Sequence, residues 1–282
     1  MRDRILQTLY GLKYNPFLPG IPIEDVWPAP GTDAFLYRVE NLVLDGGFAL
    51  IDGDPGHGKS KLLHRAEARL SAVDGVLVGI LQRPTSSLGD FYREMGQLFG
   101  VSLSPANRYG SFTALRERWR AHVRNALFRP VLLIDEAQET ATATLNELRI
   151  LGSERFDSEQ LLTVVLCGDN RLSERFRTPE LLPLGTRMRT RIVLQPLKKD
   201  ELRHFLDHLL ARAGAPALCT PGLCDAIVDH SAGNPRVLCN IGAELLDAAT
   251  HTKRPQLDEG LYFEIFDRTP KRARSTETKR TT

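Results

Sequence analysis

The chain has 282 residues, 42% of them hydrophobic and 26% charged, with a formal net charge of +2. This is the balance of an ordinary globular protein, long enough for one large α/β domain and a smaller one, and it excludes a collagen-like, a disordered or a strongly basic chain. The charge is uneven: residues 1–195 carry net +1, residues 196–267 net −4 and residues 268–282 net +5.

Met1 to Tyr10 is mixed and charged, unlike a signal peptide, and no run reaches the 18 or so apolar residues that a membrane helix needs. The four cysteines, Cys167, Cys219, Cys224 and Cys239, follow no metal spacing and read as free thiols in a reducing cytoplasm. His204 and His208 stand four apart on a helical stretch but lack a third ligand, and read as surface.

Residues 11–34 are rich in Pro and Gly and read as an irregular arm before a first helix, Thr32 to Leu44. Apolar runs and amphipathic stretches then alternate. Strands are expected at Phe48–Asp52, Val76–Leu81, Val131–Ile134, Leu162–Cys167 and, briefly, Arg191–Leu194. Helices are expected at Lys59–Leu70, Leu88–Phe99, Phe112–Leu127 and Thr144–Leu151. Buried Val, Ile and Leu runs separated by helices argue for a parallel sheet covered on both faces. From residue 196 to 267 only helical periodicity follows, at Lys199–Ala213, Pro221–His230 and Pro235–Ala249. Pro221 and Pro235 fall where a helix tolerates a missing N–H, in its first turn. The organisation is therefore an arm and first helix (1–45), an α/β core (46–195), a small helical lid (196–267) and a basic tail (268–282) without large apolar residues.

The strongest motif is Gly53-Asp54-Pro55-Gly56-His57-Gly58-Lys59-Ser60, followed by Lys61, which fits G-x-x-x-x-G-K-[ST] between a strand and a helix. Glycines let backbone N–H groups curl around phosphates, and the helix N-terminus adds its positive dipole end. Lys59 is expected to reach the β- and γ-phosphates of ATP and Ser60 to bind Mg²⁺. A second strand ends in Asp135-Glu136, about 75 residues on. Asp135 is expected in the Mg²⁺ shell, and Glu136 as the group that orients and polarises water. At the tip of the next strand either Asp169 or Asn170 suits a γ-phosphate sensor, and either suits a helix N-cap. Arg187, Arg189 and Arg191 lie within five residues, with Arg187 and Arg191 the first choices for an arginine supplied to a neighbouring subunit's ATP. Gly233-Asn234-Pro235-Arg236 opens a lid helix whose arginine can fold back onto phosphates.

These pieces resemble the ExeA-like (general secretion pathway protein A) group of AAA+ ATPases. They include Tyr10-Gly11-Leu12 with Asn15-Pro16-Phe17, the GDPGHGKS loop, LLIDEAQ, VVLCGD, RTPELLPLGTRMRTRI, LQPLKKDEL and SAGNPR, over residues 10–250. Arg83–Ser87, Asp90–Glu94 and Ala114–Trp119 are similar to stand-alone transposition ATPases of the TnsC, TniB and MuB kind. The resemblance implies a P-loop core with strand order 5-1-4-3-2 and a homo-oligomer, ring or filament, that assembles on double-stranded DNA and recruits or regulates a transposase. Secretion-type members continue into a membrane helix and a cell-wall-binding region, whereas this chain is expected to have no membrane partner. A secretion-type assembly ATPase and a nucleotide-gated module without DNA are the alternatives.

Support for DNA binding in the residues themselves is partial. Arg108, Arg116, Arg118, Arg120, Arg124 and Arg129 lie in or beside one helix, and a stripe of this kind contacts phosphates or is simply solvated. Trp119 and Phe112 are expected on the core side. Arg171, Arg175 and Arg177 suit a channel or a subunit interface, and Lys271, Arg272, Arg274, Lys279 and Arg280 make the tail basic.

Overall fold

A computed structural model describes residues 2–102, 107–125, 129–156 and 158–266, so the basic tail lies outside the described residues. The chain divides into two compact units, one from Pro22 to Pro196, the other joining residues up to Ile21 to those from Leu197 onward. The first 45 residues thus contribute to both units.

Elements follow in chain order. The segment before the Pro/Gly-rich stretch is itself a helix, α1 (Arg2–Tyr10), where the sequence reading places no helix before Thr32. Next come α2 (Thr32–Asp45), β1 (Gly47–Gly53), α3 (Lys59–Ser71), β2 (Val76–Leu81), α4 (Leu88–Phe99) and α5 (Arg108–Arg124). They are followed by β3 (Arg129–Ile134), α6 (Thr142–Gly152), β4 (Thr163–Cys167), the short α7 (Asn170–Arg175) and α8 (Leu182–Gly185), and β5 (Met188–Leu194). Helices α9 (Lys199–Arg212), α10 (Pro221–His230), α11 (Pro235–Thr252) and α12 (Glu259–Phe266) complete the second unit. Helix α5 begins a turn earlier than periodicity suggests, because the Asn107 side chain accepts from the Gly110 N–H.

The five strands pair in parallel in the order β2-β3-β4-β1-β5, the order expected from the resemblance. Strand alternation sends side chains to two apolar layers. Phe48, Leu50, Leu132, Ile134, Val164 and Leu166 pack with α4, α5 and α6 residues such as Phe91, Trp119 and Leu148. Ala49, Ile51, Val131, Leu133, Val165 and Cys167 pack with α2 and α3 residues such as Phe35, Val39 and Leu62. Each fully buried large side chain of this kind contributes about 1.5–3 kcal/mol. Strand β5 begins three residues before the expected Arg191, and its first residues alternate between buried and exposed, Arg189 and Arg191 lying outward.

In the second unit Leu6, Leu12 and Phe17 join Leu206, Leu210, Leu245, Leu246 and Leu261 in one core. Asn15 Oδ1 accepts from the Phe17 N–H at 3.0 Å, turning the ring inward. A Cβ on Gly242 of α11 would lie 2.5 Å from that ring, so glycine is what lets the two approach. Thr220 caps α10 by accepting from Leu223 N, and Asn234 caps α11 by accepting from Arg236 N and Val237 N, each ahead of its proline. The four cysteines are free. Among the described residues no helix is long and apolar enough to cross a membrane.

Candidate nucleotide-binding site

Because the five strands of the main sheet run parallel, the C-terminal ends of β1, β3 and β4 meet at one edge of it. The polar residues that follow each strand therefore gather there, where open α/β sheets bind ligands. After β1 the chain turns through Gly53 (φ +151°), Gly56 (φ +93°) and Gly58 (φ +87°), conformations that side-chain-bearing residues rarely adopt. Gly53 also passes Leu194, whose carbonyl oxygen would sit 2.7 Å from an added Cβ. Gly58 is the N-cap of α3, so the loop delivers Lys59, Ser60 and Lys61 into that helix's first turn.

Lys59 is buried, at 8% exposure. Its ammonium donates to the carbonyls of Gly53 at 2.8 Å and Asp54 at 3.1 Å. A buried ammonium held by neutral carbonyls brings positive charge into the loop, which favours an anion there. Ser60 is exposed. His57 is half-buried with its Nδ1 lacking a hydrogen-bond partner, and burial holds its imidazole below the ordinary value while Asp54 opposes that shift.

At the end of β3, Asp135 accepts from the Glu136 N–H at 2.9 Å and from the Cys167 thiol. Burial and that carboxylate push the thiol's pKa far up, so Cys167 stays protonated as a donor. Glu136 is exposed and sits in the left-handed region (φ +49°), a conformation that costs a non-glycine residue roughly 1–3 kcal/mol and recurs where function fixes the backbone. A hydroxyl and a carboxylate are hard oxygen donors, a set that fits Mg²⁺ shared with phosphate oxygens. Among the described residues no group of three or more His, Cys, Asp and Glu side chains could hold a metal ion on its own.

The two candidates at the tip of β4 do different work. Asp169 caps α7 by accepting from Arg171 N, and the Arg171 guanidinium at 2.8 Å holds its carboxyl below the usual range. Asn170 instead sends its amide to Asp54 Oδ1 at 2.7 Å, against the glycine-rich loop. Arg191, exposed on β5, donates to the Gly185 carbonyl at 2.5 Å and lines a cavity of about 620 Å³ with Asn170, Asp52 and Ser173. Arg187 is half-buried, donates to the Pro183 carbonyl, and faces a different cavity with Arg129 and Arg189. Burial and the neighbouring Arg149 both lower its pKa. Arg236 is exposed in the first turn of α11, in the other unit.

Two side chains that the sequence reading passes over, Gln138 and Ser173, complete the edge, with Arg175 bracing Gln138. Gln138 is buried two residues past Glu136; its amide donates to the Glu136 carboxylate and its Oε1 accepts from the Asp169 N–H at 3.3 Å. Arg175 donates to the Gln138 carbonyl at 2.6 Å and to Thr142 at 3.1 Å, bracing the turn after the acid pair. Ser173 donates to the buried Asp52.

Three arginines of the α5 stripe have partners within the chain. Arg108 pairs with the buried Glu147, to which Tyr92 also donates, Arg120 with Glu154 at 2.6 Å, and Arg116 donates to the Ile150 carbonyl at 3.0 Å. These three arginines hold α5 to α6 and its flank, while Arg118 and Arg124 are exposed on the helix. Trp119 is fully buried, as expected, and Phe112 is half-buried under Arg116.

A family model described as "AAA domain" matches residues 43–176, the span from the end of α2 through α7. The chain is 28% identical over 208 residues to general secretion pathway protein A of Aeromonas hydrophila, a match covering 72% of this chain and 37% of that protein. It therefore spans well under half the length of that relative. The fold is similar to that of Cdc6p from Pyrobaculum aerophilum (TM-score 0.67, 17% identity, 86% of this chain and 67% of that one). It is also similar to the Aeropyrum pernix ORC1 protein in complex with DNA (TM-score 0.62, 20% identity, 88% and 67%). Domain III of the Thermotoga maritima replication initiator DnaA matches at TM-score 0.56 and 17% identity, over 89% of this chain and 97% of that one.

Proposed function

We propose that this chain, which belongs to the AAA+ proteins of the ExeA-like group, is an ATPase whose bound nucleotide governs its assembly on double-stranded DNA. The observation that carries the ATPase reading is the convergence of Lys59, Asp135, Glu136 and Asn170 at one sheet edge, with Asn170 hydrogen-bonded to the loop that presents Lys59.

In this reading the backbone of Gly53, Asp54, Pro55, Gly56, His57 and Gly58 cradles phosphate oxygens, with Lys61 beside it in the helix turn. Lys59 neutralises the β- and γ-phosphates. The Ser60 hydroxyl and the Asp135 carboxylate hold Mg²⁺, whose charge offsets that of the transferring phosphoryl group. Glu136 orients the attacking water and takes its proton. Asn170 donates toward the γ-phosphate. Arg187 or Arg191 enters the site of an adjoining copy in a ring or filament. ATP promotes assembly to the extent that it binds the assembled state better.

The DNA and partner parts rest on likeness. ORC1, whose fold is similar, is named in complex with DNA, and the motifs resemble transposition helpers, which makes a transposase the expected partner and the cytoplasm the expected compartment. The match to general secretion pathway protein A favours a second reading, an assembly ATPase acting on protein partners. A nucleotide-gated module without DNA is the third.

Hydrolysis is tested by steady-state ATPase and equilibrium ATP binding on the wild type, Lys59→Ala and Glu136→Gln. Removing the Lys59 charge costs roughly 1.5–3 kcal/mol of a charged hydrogen bond, so ATP affinity falls about tenfold or more. Glu136→Gln keeps binding and loses turnover. A wild type that binds no ATP, or a Glu136→Gln that hydrolyses normally, overturns the reading.

A further inference from the structure

Gln138 lies between the two halves of the site. It is 7% exposed, in the short turn Ala137–Glu139 that follows the acid pair. Its amide N–H donates to Glu136 Oε2, while its amide oxygen accepts from the Asp169 N–H at 3.3 Å. A side-chain amide is the residue type suited to this, since it donates at one end and accepts at the other. Its surroundings are built to hold it. Gly168, just before Asp169, would place an added Cβ 2.8 Å from the Gln138 Oε1, so a side chain there would push the amide off its present position. From the other side Arg175 grips the Gln138 carbonyl at 2.6 Å and Thr142 at 3.1 Å. The next residue along the strand tip is Asn170, whose amide reaches the phosphate-binding loop through Asp54. A continuous path of hydrogen bonds and one peptide link therefore runs from the loop through Asn170, Asp169 and Gln138 to Glu136.

We propose that Gln138 is a positioning residue that couples the Glu136 carboxylate to the γ-phosphate-facing tip of β4, so that occupancy of the loop sets the orientation of the water-activating group. This rests on the ATPase reading of the same site. Glu136 is exposed and leaves its backbone in a left-handed conformation, so its carboxylate needs a partner to fix it. Among the described hydrogen bonds that partner is Gln138.

The test uses the full chain as wild type, Gln138→Met, Gln138→Glu, Asn170→Ala and the Gln138→Met/Asn170→Ala double variant, with Glu136→Gln as the hydrolysis-dead control. Met keeps the size and the burial but neither hydrogen bond. Gln138→Met is expected to lose at least about tenfold in kcat with ATP affinity and Tm close to wild type, the pattern of a lost transition-state interaction. Adding Asn170→Ala to it is expected to cost clearly less than Asn170→Ala costs alone, because the path is already broken. Gln138→Glu restores the acceptor for Asp169 but sets a second carboxylate against Glu136, so it is expected not to recover turnover. A Gln138→Met enzyme with wild-type kcat, or one whose effect simply adds to that of Asn170→Ala, overturns the proposal. A drop confined to Tm assigns Gln138 to packing and also overturns it. A wild type without ATPase activity, equal to the Glu136→Gln control, instead fails the ATPase reading itself.

Discussion

The Asn170 side-chain amide donates to the Asp54 carboxylate at 2.7 Å, tying the tip of β4 to the glycine-rich loop after β1. Asp169, its neighbour, is committed to capping α7 and to Arg171. Asn170→Ala is therefore expected to lower kcat by about 10²-fold, the size seen when one preorganised donor is removed, while Asp169→Asn, which can still cap, lowers it far less. Steady-state kinetics with a separate ATP-binding measurement checks this; equal losses in both variants would reverse the assignment.

Arg187 and Arg191 stand on different cavities, and Arg191 shares its cavity with Asn170. If either acts on an adjoining copy's ATP, a subunit lacking that arginine still has its own Lys59 and Glu136. Mixing Arg187→Ala or Arg191→Ala subunits with Glu136→Gln subunits is then expected to recover turnover above that of either alone, for one of the two arginines. ATPase activity across mixing ratios is the readout, and no recovery for either arginine excludes a trans role for both.

Phe17 is 4% exposed in the core of the helical unit, on Gly242 of α11. Phe17→Ala is expected to destabilise that unit by about 3–5 kcal/mol through the cavity it leaves. Gly242→Val, which drives methyl groups into the ring, costs roughly 1–3 kcal/mol. Chemical denaturation followed by far-UV circular dichroism measures both, and a neutral Phe17→Ala would contradict the packing of residues 1–21 with α11.

His57 supplies a pH signature. Burial lowers its pKa below the ordinary 6.5, with Lys59 acting in the same direction and Asp54 against it. The unfolded chain then binds a proton at a higher pH than the folded one, so folding loses stability as pH falls through the window just below 6.5 and is unaffected above it. The nucleotide-free protein is expected to lose Tm between pH 7 and 5.5 more steeply than His57→Asn. Parallel Tm profiles would mean that the imidazole is solvated as in the unfolded chain.

Much of the core was legible because its signals are local. Gly53, Gly58, Lys59 and Ser60 keep a fixed spacing between a strand and a helix, and strands β1 to β4 each contain an uninterrupted run of apolar residues and glycine. What was not legible depends on contacts distant in sequence. Helix α1 is nine residues long, and its Leu6 is buried by helices some two hundred residues on. The first residues of β5 alternate in exposure because it is an edge strand, which hides them from a search for apolar runs. The partners of three α5 arginines, Glu147, Glu154 and the Ile150 carbonyl, lie 34 to 39 residues on in sequence, so the fold alone shows them. Gln138 and Arg175 lie 37 residues apart, and nothing short of the fold brings them together.

The most direct measurement is fluorescence anisotropy of a labelled non-specific duplex, with no nucleotide, ADP, ATP and a non-hydrolysable ATP analogue, for the wild type, Lys59→Ala and Glu136→Gln. The expected result is binding only with ATP or its analogue, persistent in Glu136→Gln, lost in Lys59→Ala and weakened steeply by salt, since phosphate contacts release counterions. ATP binding without any duplex binding at low salt, in every nucleotide state, would contradict the DNA-switch account and point to a protein partner.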